Sequence, residues 1–164
     1  MRSTWVVGDI HGCAEELASL LQELDLQDGD RLISTGDLFH RGPDPVGVLR
    51  LLQGLGDCFE MVLGNHEWAL LRRFGMASEK ADGTGVSLGG EVVLQGIEDL
   101  RGDNQAKMDP SALATGMELL GFLAGRPYFL RAPCEGPVWE GEARDWLVVH
   151  GSVLPDRAVE EMQP

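Results

Sequence analysis

Residues 4–12 read Thr4-Trp5-Val6-Val7-Gly8-Asp9-Ile10-His11-Gly12, and this stretch decides the fold. Four β-branched or aromatic residues predict a strand, which breaks into a glycine-flanked polar cluster. A helix follows, because Leu17, Leu20, Leu21 and Leu24 fall at i, i+3, i+4 and i+7 and line one helical face. The same order recurs twice. Arg31 to Thr35 predicts a second strand, closed by Gly36-Asp37-Leu38-Phe39-His40-Arg41-Gly42. Asp44 is then the expected N-cap and Pro45 the first residue of a helix bearing Val48, Leu51, Leu52 and Leu55. Phe59 to Leu63 predicts a third strand, closed by Gly64-Asn65-His66-Glu67, with a helix from Glu67 to Phe74.

The spacing says how these units assemble. From Asp9 to Asp37 is 28 residues, and from Asp37 to Asn65 is again 28. Each interval is close to one strand-helix-strand unit, so the expected class is α/β, a parallel sheet with crossover helices outside it. The three clusters should then meet at the carboxyl edge of the strands, where open α/β sheets bind ligands. A fourth cluster, His150-Gly151-Ser152, ends the strand-like run Trp146 to Val149. Before it, Asp109-Pro110 starts a helix carrying Leu113, Met117 and Leu120, and Tyr128 to Arg131 is strand-like. One domain is expected over residues 1–164, with a Gly-rich, acidic surface insertion over residues 76–107.

Composition narrows the partners. Thirteen Lys+Arg against 27 Asp+Glu leave a formal charge of −14. With a pI near 4.5, such a surface repels nucleic acid and anionic lipid, so neither is expected as a partner. No run is apolar enough for a secretory signal or a membrane span, and Cys13, Cys58 and Cys134 form no CxxC pair, so reducing cytoplasm is the expected compartment. No cysteine has Arg six positions later, as a cysteine-phosphatase loop would require. The only lysines, Lys80 and Lys107, do not follow Gly as a phosphate-binding P-loop demands.

GDIHG, GDLFHRGP, GNHE and VVHGSVLP, in that order, each after an apolar strand, resemble the motifs of calcineurin-like metallophosphoesterases. The bacterial phosphoprotein phosphatases and diadenosine tetraphosphatases are the nearest group, and SLGG and GRPYFL extend the likeness over most of the chain. The resemblance implies a metallophosphoesterase sandwich and a site for two divalent ions, manganese before iron or zinc. Asp9 and His11 would hold one ion, Asn65 and His150 the other, and Asp37 would bridge them. A bridging carboxylate holds two cations roughly 3.5 to 4 Å apart, and a water between them becomes hydroxide near neutral pH, the implied nucleophile. Arg41 would clamp phosphate oxygens with its planar fork, and His66 would be the general acid for the leaving alkoxide. The implied substrate is a phosphorylated protein, as for a serine/threonine phosphatase, or a dinucleotide polyphosphate.

Two departures qualify the likeness. His40 stands where the family usually has an Asp that orients the catalytic histidine; a ring nitrogen of His40 could still accept a hydrogen bond and tune the acid. No histidine follows His150, although the family adds a later one to the second metal. The strands that complete the second sheet would then be missing, so the chain is expected either to be a fragment or to assemble with another copy through an unpaired edge. A non-catalytic relic binding metal or phosphate is the rival to an active hydrolase. Singly, each residue has a plainer role: an Asp or His at a strand end forms turns or caps. Glu67 suits a helix start, Arg72 and Arg73 a solvated face, and Trp5, Trp68, Trp139 and Trp146 core or rim packing.

Overall fold

The computed structural model describes residues 3–74, Met76, residues 110–133 and 145–152, and Ala158. Apart from Met76, the expected insertion over 76–107 lies outside them, as do Cys134 and Trp139.

Strands β1 (Thr4–Val7), β2 (Arg31–Ser34) and β3 (Phe59–Met61) form a parallel sheet in the order β1-β2-β3. Trp5 pairs with Leu32, and Leu32 with Phe59, so chain order and spatial order coincide. Helix α1 (Ala14–Leu24) makes the first crossover and α2 (Pro45–Gly54) the second, the latter followed by a 3-10 turn at Gly56–Cys58. Helix α3 (Asn65–Arg73) leaves β3, and α4 (Pro110–Leu123) precedes an antiparallel pair, β4 (Phe129–Pro133) and β5 (Asp145–Val149).

Alternation along the strands divides the core. Leu32, Phe59 and Met61 point to one face and pack with Leu17 of α1, Val48, Leu49 and Leu52 of α2, and Leu119, Leu120 and Leu123 of α4. Ile33 and Val62 point the other way and pack against Val148 of β5 and Leu130 of β4. Strands β2 and β3 are therefore sandwiched, helices on one face and the β4–β5 pair on the other, while β1 is an edge with Trp5 and Val6 exposed. Apolar burial on both faces is what a parallel sheet requires.

Local chemistry explains most boundaries. The Asp44 carboxylate accepts the Gly47 N–H at 2.7 Å and Pro45 opens α2, the expected cap. β3 is shorter than the run Phe59 to Leu63, because the Leu63 N–H leaves the ladder for the Pro127 carbonyl at 2.8 Å. α3 begins at Asn65, two residues before its expected start at Glu67, with Gly64 as N-cap, so Asn65 and His66 stand on its first turn. Helical spacing overestimated two faces: Leu20 is exposed at 36% and Met117 at 62%, since α1 buries Leu17 and α4 buries Leu119, Leu120 and Leu123. Trp68 is buried, whereas Trp5 and Trp146 are exposed on β1 and β5.

Candidate metal centre

The loops leaving β1 and β2 are tied together at the carboxyl edge of the sheet. The Asp37 carbonyl accepts the N–H groups of Ile10 (3.1 Å) and His11 (2.9 Å), and the Leu38 carbonyl accepts that of Gly12 (2.7 Å). Close approach is obligatory here: a Cβ on Gly36 would lie 2.3 Å from the Gly64 nitrogen, and one on Gly42 would collide with the His11 carbonyl oxygen. His11, Asp37 and Arg41 all have positive φ, at 48°, 54° and 78°. Non-glycine residues hold that conformation only where the surroundings enforce it, at about 1–3 kcal/mol each.

This framework brings the carboxylates, imidazoles and amide of the four clusters together. Ligand atoms of Asp9, His11 and Asp37 all lie within 4.8 Å of one another, with Asp9 Oδ2 3.5 Å from His11 Nε2. His150 Nε2 lies 3.5 Å from Asp37 Oδ2 and 3.0 Å from Asn65 Oδ1. The Asp37 carboxylate, only 6% exposed, thus faces both groups. His150 Nδ1 sits 2.9 Å from the Thr35 carbonyl oxygen, which can only accept, so the proton is on Nδ1. In a neutral ring Nε2 then presents a lone pair toward two acceptor oxygens. In that tautomer the Nε2 lone pair and the Asp37 and Asn65 oxygens form a donor set that fits a divalent cation, and a carbonyl fixing the tautomer is the usual support of a metal-binding imidazole. Mixed carboxylate, imidazole and amide donors suit manganese, iron or zinc better than calcium.

His66 is beside this group and half-buried, its side chain 8% exposed. Its Nε2 is 3.8 Å from Asp37 Oδ2, and its N–H donates to Asp37 Oδ1 at 3.2 Å. Burial is the main cause that pushes its pKa below the ordinary imidazole value. The Asp37 charge opposes this, and His40, Arg41 and His11 reinforce it. His40 lies face to face on His66, ring centroids 4.2 Å apart and planes 13° from parallel. Ring nitrogens hydrogen-bond in the plane of the ring, so stacked imidazoles cannot bond each other. The acceptor role expected of His40 is therefore not the arrangement found, and His66 Nδ1 is buried without a hydrogen-bond partner. Arg41 is exposed at the rim.

Two participants have no counterpart among the expected site residues. The Thr35 carbonyl is a main-chain group and carries no side-chain signature. Glu67 stands in the first turn of α3, as expected of a helix-start acid, and is only 2% exposed. Its carboxylate accepts N–H groups from Asp37 (2.8 Å), Leu38 (2.8 Å) and Gly64 (3.1 Å). Burial raises its pKa most, the Asp37 charge adds to this, and the backbone donors pull it down. The Gly64-x-x-Glu67 spacing signals the local bond to Gly64; the bonds to a loop 30 residues away are invisible in it.

An α/β sandwich with mixed oxygen and nitrogen donors at the carboxyl edge of its parallel sheet defines a class, the α/β folds with a candidate metal centre at the strand ends. The calcineurin-like phosphoesterase model matches residues 2–159, and the chain belongs to that family. It is 51% identical over 70 residues to a symmetrical bis(5'-nucleosyl)-tetraphosphatase of Erwinia tasmaniensis, covering 42% of this chain and 26% of that one. The counterpart from Cronobacter sakazakii is 51% identical over 73 residues, 44% of this chain and 26% of its own. A crystal structure assigned as a diadenosine tetraphosphatase superposes with a TM-score of 0.60 at 26% identity, covering 98% of this chain and 55% of that one. The aligned stretch thus spans about a quarter of the curated relatives' length. No helix among the described residues is long and apolar enough to cross a membrane.

Proposed function

We propose that this chain carries the metal-binding core of a phosphoester hydrolase acting on a dinucleotide polyphosphate. The observation that supports it is the buried Asp37 carboxylate, within 4.8 Å of the ligand atoms of Asp9 and His11 and 3.5 Å from His150 Nε2, which in turn lies 3.0 Å from Asn65 Oδ1. Asp9, His11 and Asp37 would hold one divalent ion; Asp37, Asn65 and His150 the other, with manganese as the first candidate. When bound, such ions supply an activated water and neutralise phosphate charge.

The chain's own residues divide the remaining work. Asp37, locked by its backbone bonds, fixes the position of the paired sites. Arg41, exposed beside the Asp37 loop, meets two phosphate oxygens with its fork. His66 delivers a proton to the departing oxygen; its lowered pKa makes the protonated ring a stronger acid while reducing its population. His40 covers one face of His66 and limits its rotation. The relatives' names favour the nucleotide over a phosphoprotein as substrate, and the free Cys13 and Cys58 are consistent with a reducing cytoplasm.

The test is hydrolysis of diadenosine tetraphosphate by the purified chain with added Mn²⁺, beside a phosphopeptide. Symmetrical cleavage would release two ADP, and Asp37→Asn would abolish it. ADP release unaffected by Asp37→Asn would overturn the assignment of Asp37. Metal uptake without hydrolysis of either substrate would select the non-catalytic reading.

A further inference from the structure

We infer that Glu67 is a positioning residue for the metal centre: its buried carboxylate pins the main chain of the Asp37 loop, so that Asp37 can be shared between two cations. This rests on the proposed role of Asp37. The helix-start reading accounts for only one of its three bonds. Oε2 accepts the N–H groups of Asp37 and of Gly64, whereas Oε1 accepts that of Leu38. One side chain on α3 thereby clamps the loop after β2 to the end of β3, across about thirty residues of sequence. Asp37 needs such a clamp because its φ of 54° is strained, and because its oxygens must present lone pairs on two sides at once.

The arrangement also explains why an acid is placed beside a second buried acid. Three main-chain donors converge on two oxygens, and only a carboxylate offers acceptors at both positions. A glutamine of the same shape turns an NH₂ toward one of these donors. With Oε1 replaced, the Leu38 N–H loses its acceptor; with Oε2 replaced, those of Asp37 and Gly64 do. The loop then relaxes out of its strained conformation, and Asp37 leaves the shared position. Glu67 touches neither substrate nor ion in this account; it acts through Asp37.

The test is a calorimetric Mn²⁺ titration of the wild-type chain, Glu67→Gln and a stability control, Leu52→Ala, which opens a cavity at the C-terminal end of α2. Glu67→Gln is expected to weaken metal binding about 10- to 100-fold, whereas Leu52→Ala lowers the melting temperature and leaves the affinity unchanged. Equal affinity in Glu67→Gln and wild type overturns the inference, as does an equal loss in Leu52→Ala. A wild-type chain that takes up no metal refutes the proposed function instead. Should Glu67→Gln not fold, amide hydrogen exchange of the metal-free wild type decides. Protection of the Asp37, Leu38 and Gly64 amides above that of the exposed Gly8 is expected; free exchange at all three overturns the inference.

Discussion

Replacing Gly64 by Ala probes how tightly the candidate centre is built. A Cβ at this position would lie 2.2 Å from Asp37 Oδ1, 2.5 Å from the Asp37 nitrogen and 2.7 Å from Glu67 Oε2. Ordinary contact needs about 3.5 Å or more, so Asp37 must retreat by about 1 Å. The Gly64 φ of −80° suits any residue, and the smaller entropy of the unfolded Ala chain returns about 0.4–1 kcal/mol. Against this, overpacking costs about 1–3 kcal/mol. Loss of a charge-assisted bond such as Asp37 N–H to Glu67 adds about 1.5–3 kcal/mol. The expected outcome is a destabilisation of about 2–5 kcal/mol, a large fraction of a domain's stability. Urea unfolding followed by circular dichroism reads it as a lowered midpoint at unchanged slope. A midpoint equal to or above that of the wild type would refute the close approach of β3's end to the Asp37 loop.

Other perturbations test separate parts of the account. Asp44→Ala removes the α2 cap bond to Gly47 and should cost about 1 kcal/mol, a melting-temperature loss of about 2–4 °C by calorimetry. Asp30 accepts N–H groups from Ser3 (2.7 Å) and Gln27 (3.0 Å), which hold its carboxyl below the ordinary value of 3.8. A folded-state pKa below the unfolded one stabilises the protein above pH 3.8, and the contribution is lost as pH falls through the folded value. Asp30→Asn should therefore lower the urea midpoint at pH 7, and the gap to wild type should shrink below pH 3.8. His150→Ala should leave the Asp9, His11 and Asp37 donors intact, so Mn²⁺ stoichiometry should fall from two ions per chain to one.

Much of the fold was legible because its signals are local. Asp44-Pro45 marks a helix start by capping chemistry and a fixed φ, both readable from adjacent residues, and the two 28-residue intervals between Asp9, Asp37 and Asn65 imply crossovers of one length. Helical spacing misjudged Leu20 and Met117, because a stripe of apolar residues is wider than the strip that neighbouring elements cover. The antiparallel pairing of β4 and β5 depends on which face of the parallel sheet is free, which no single segment encodes. At the site, residue types and their positions after strands revealed the donor groups. The stacking of His40 on His66 and the grip of Glu67 on the Asp37 loop are contacts between segments far apart in sequence, so they surfaced only in three dimensions.

Whether Asp37 is shared by two cations is decided by anomalous diffraction from crystals grown with Mn²⁺. Two peaks about 3.5–4 Å apart on either side of the Asp37 carboxylate are expected, one beside Asp9 and His11 and the other beside Asn65 and His150. A single peak not touching Asp37, or none at saturating metal, would contradict it.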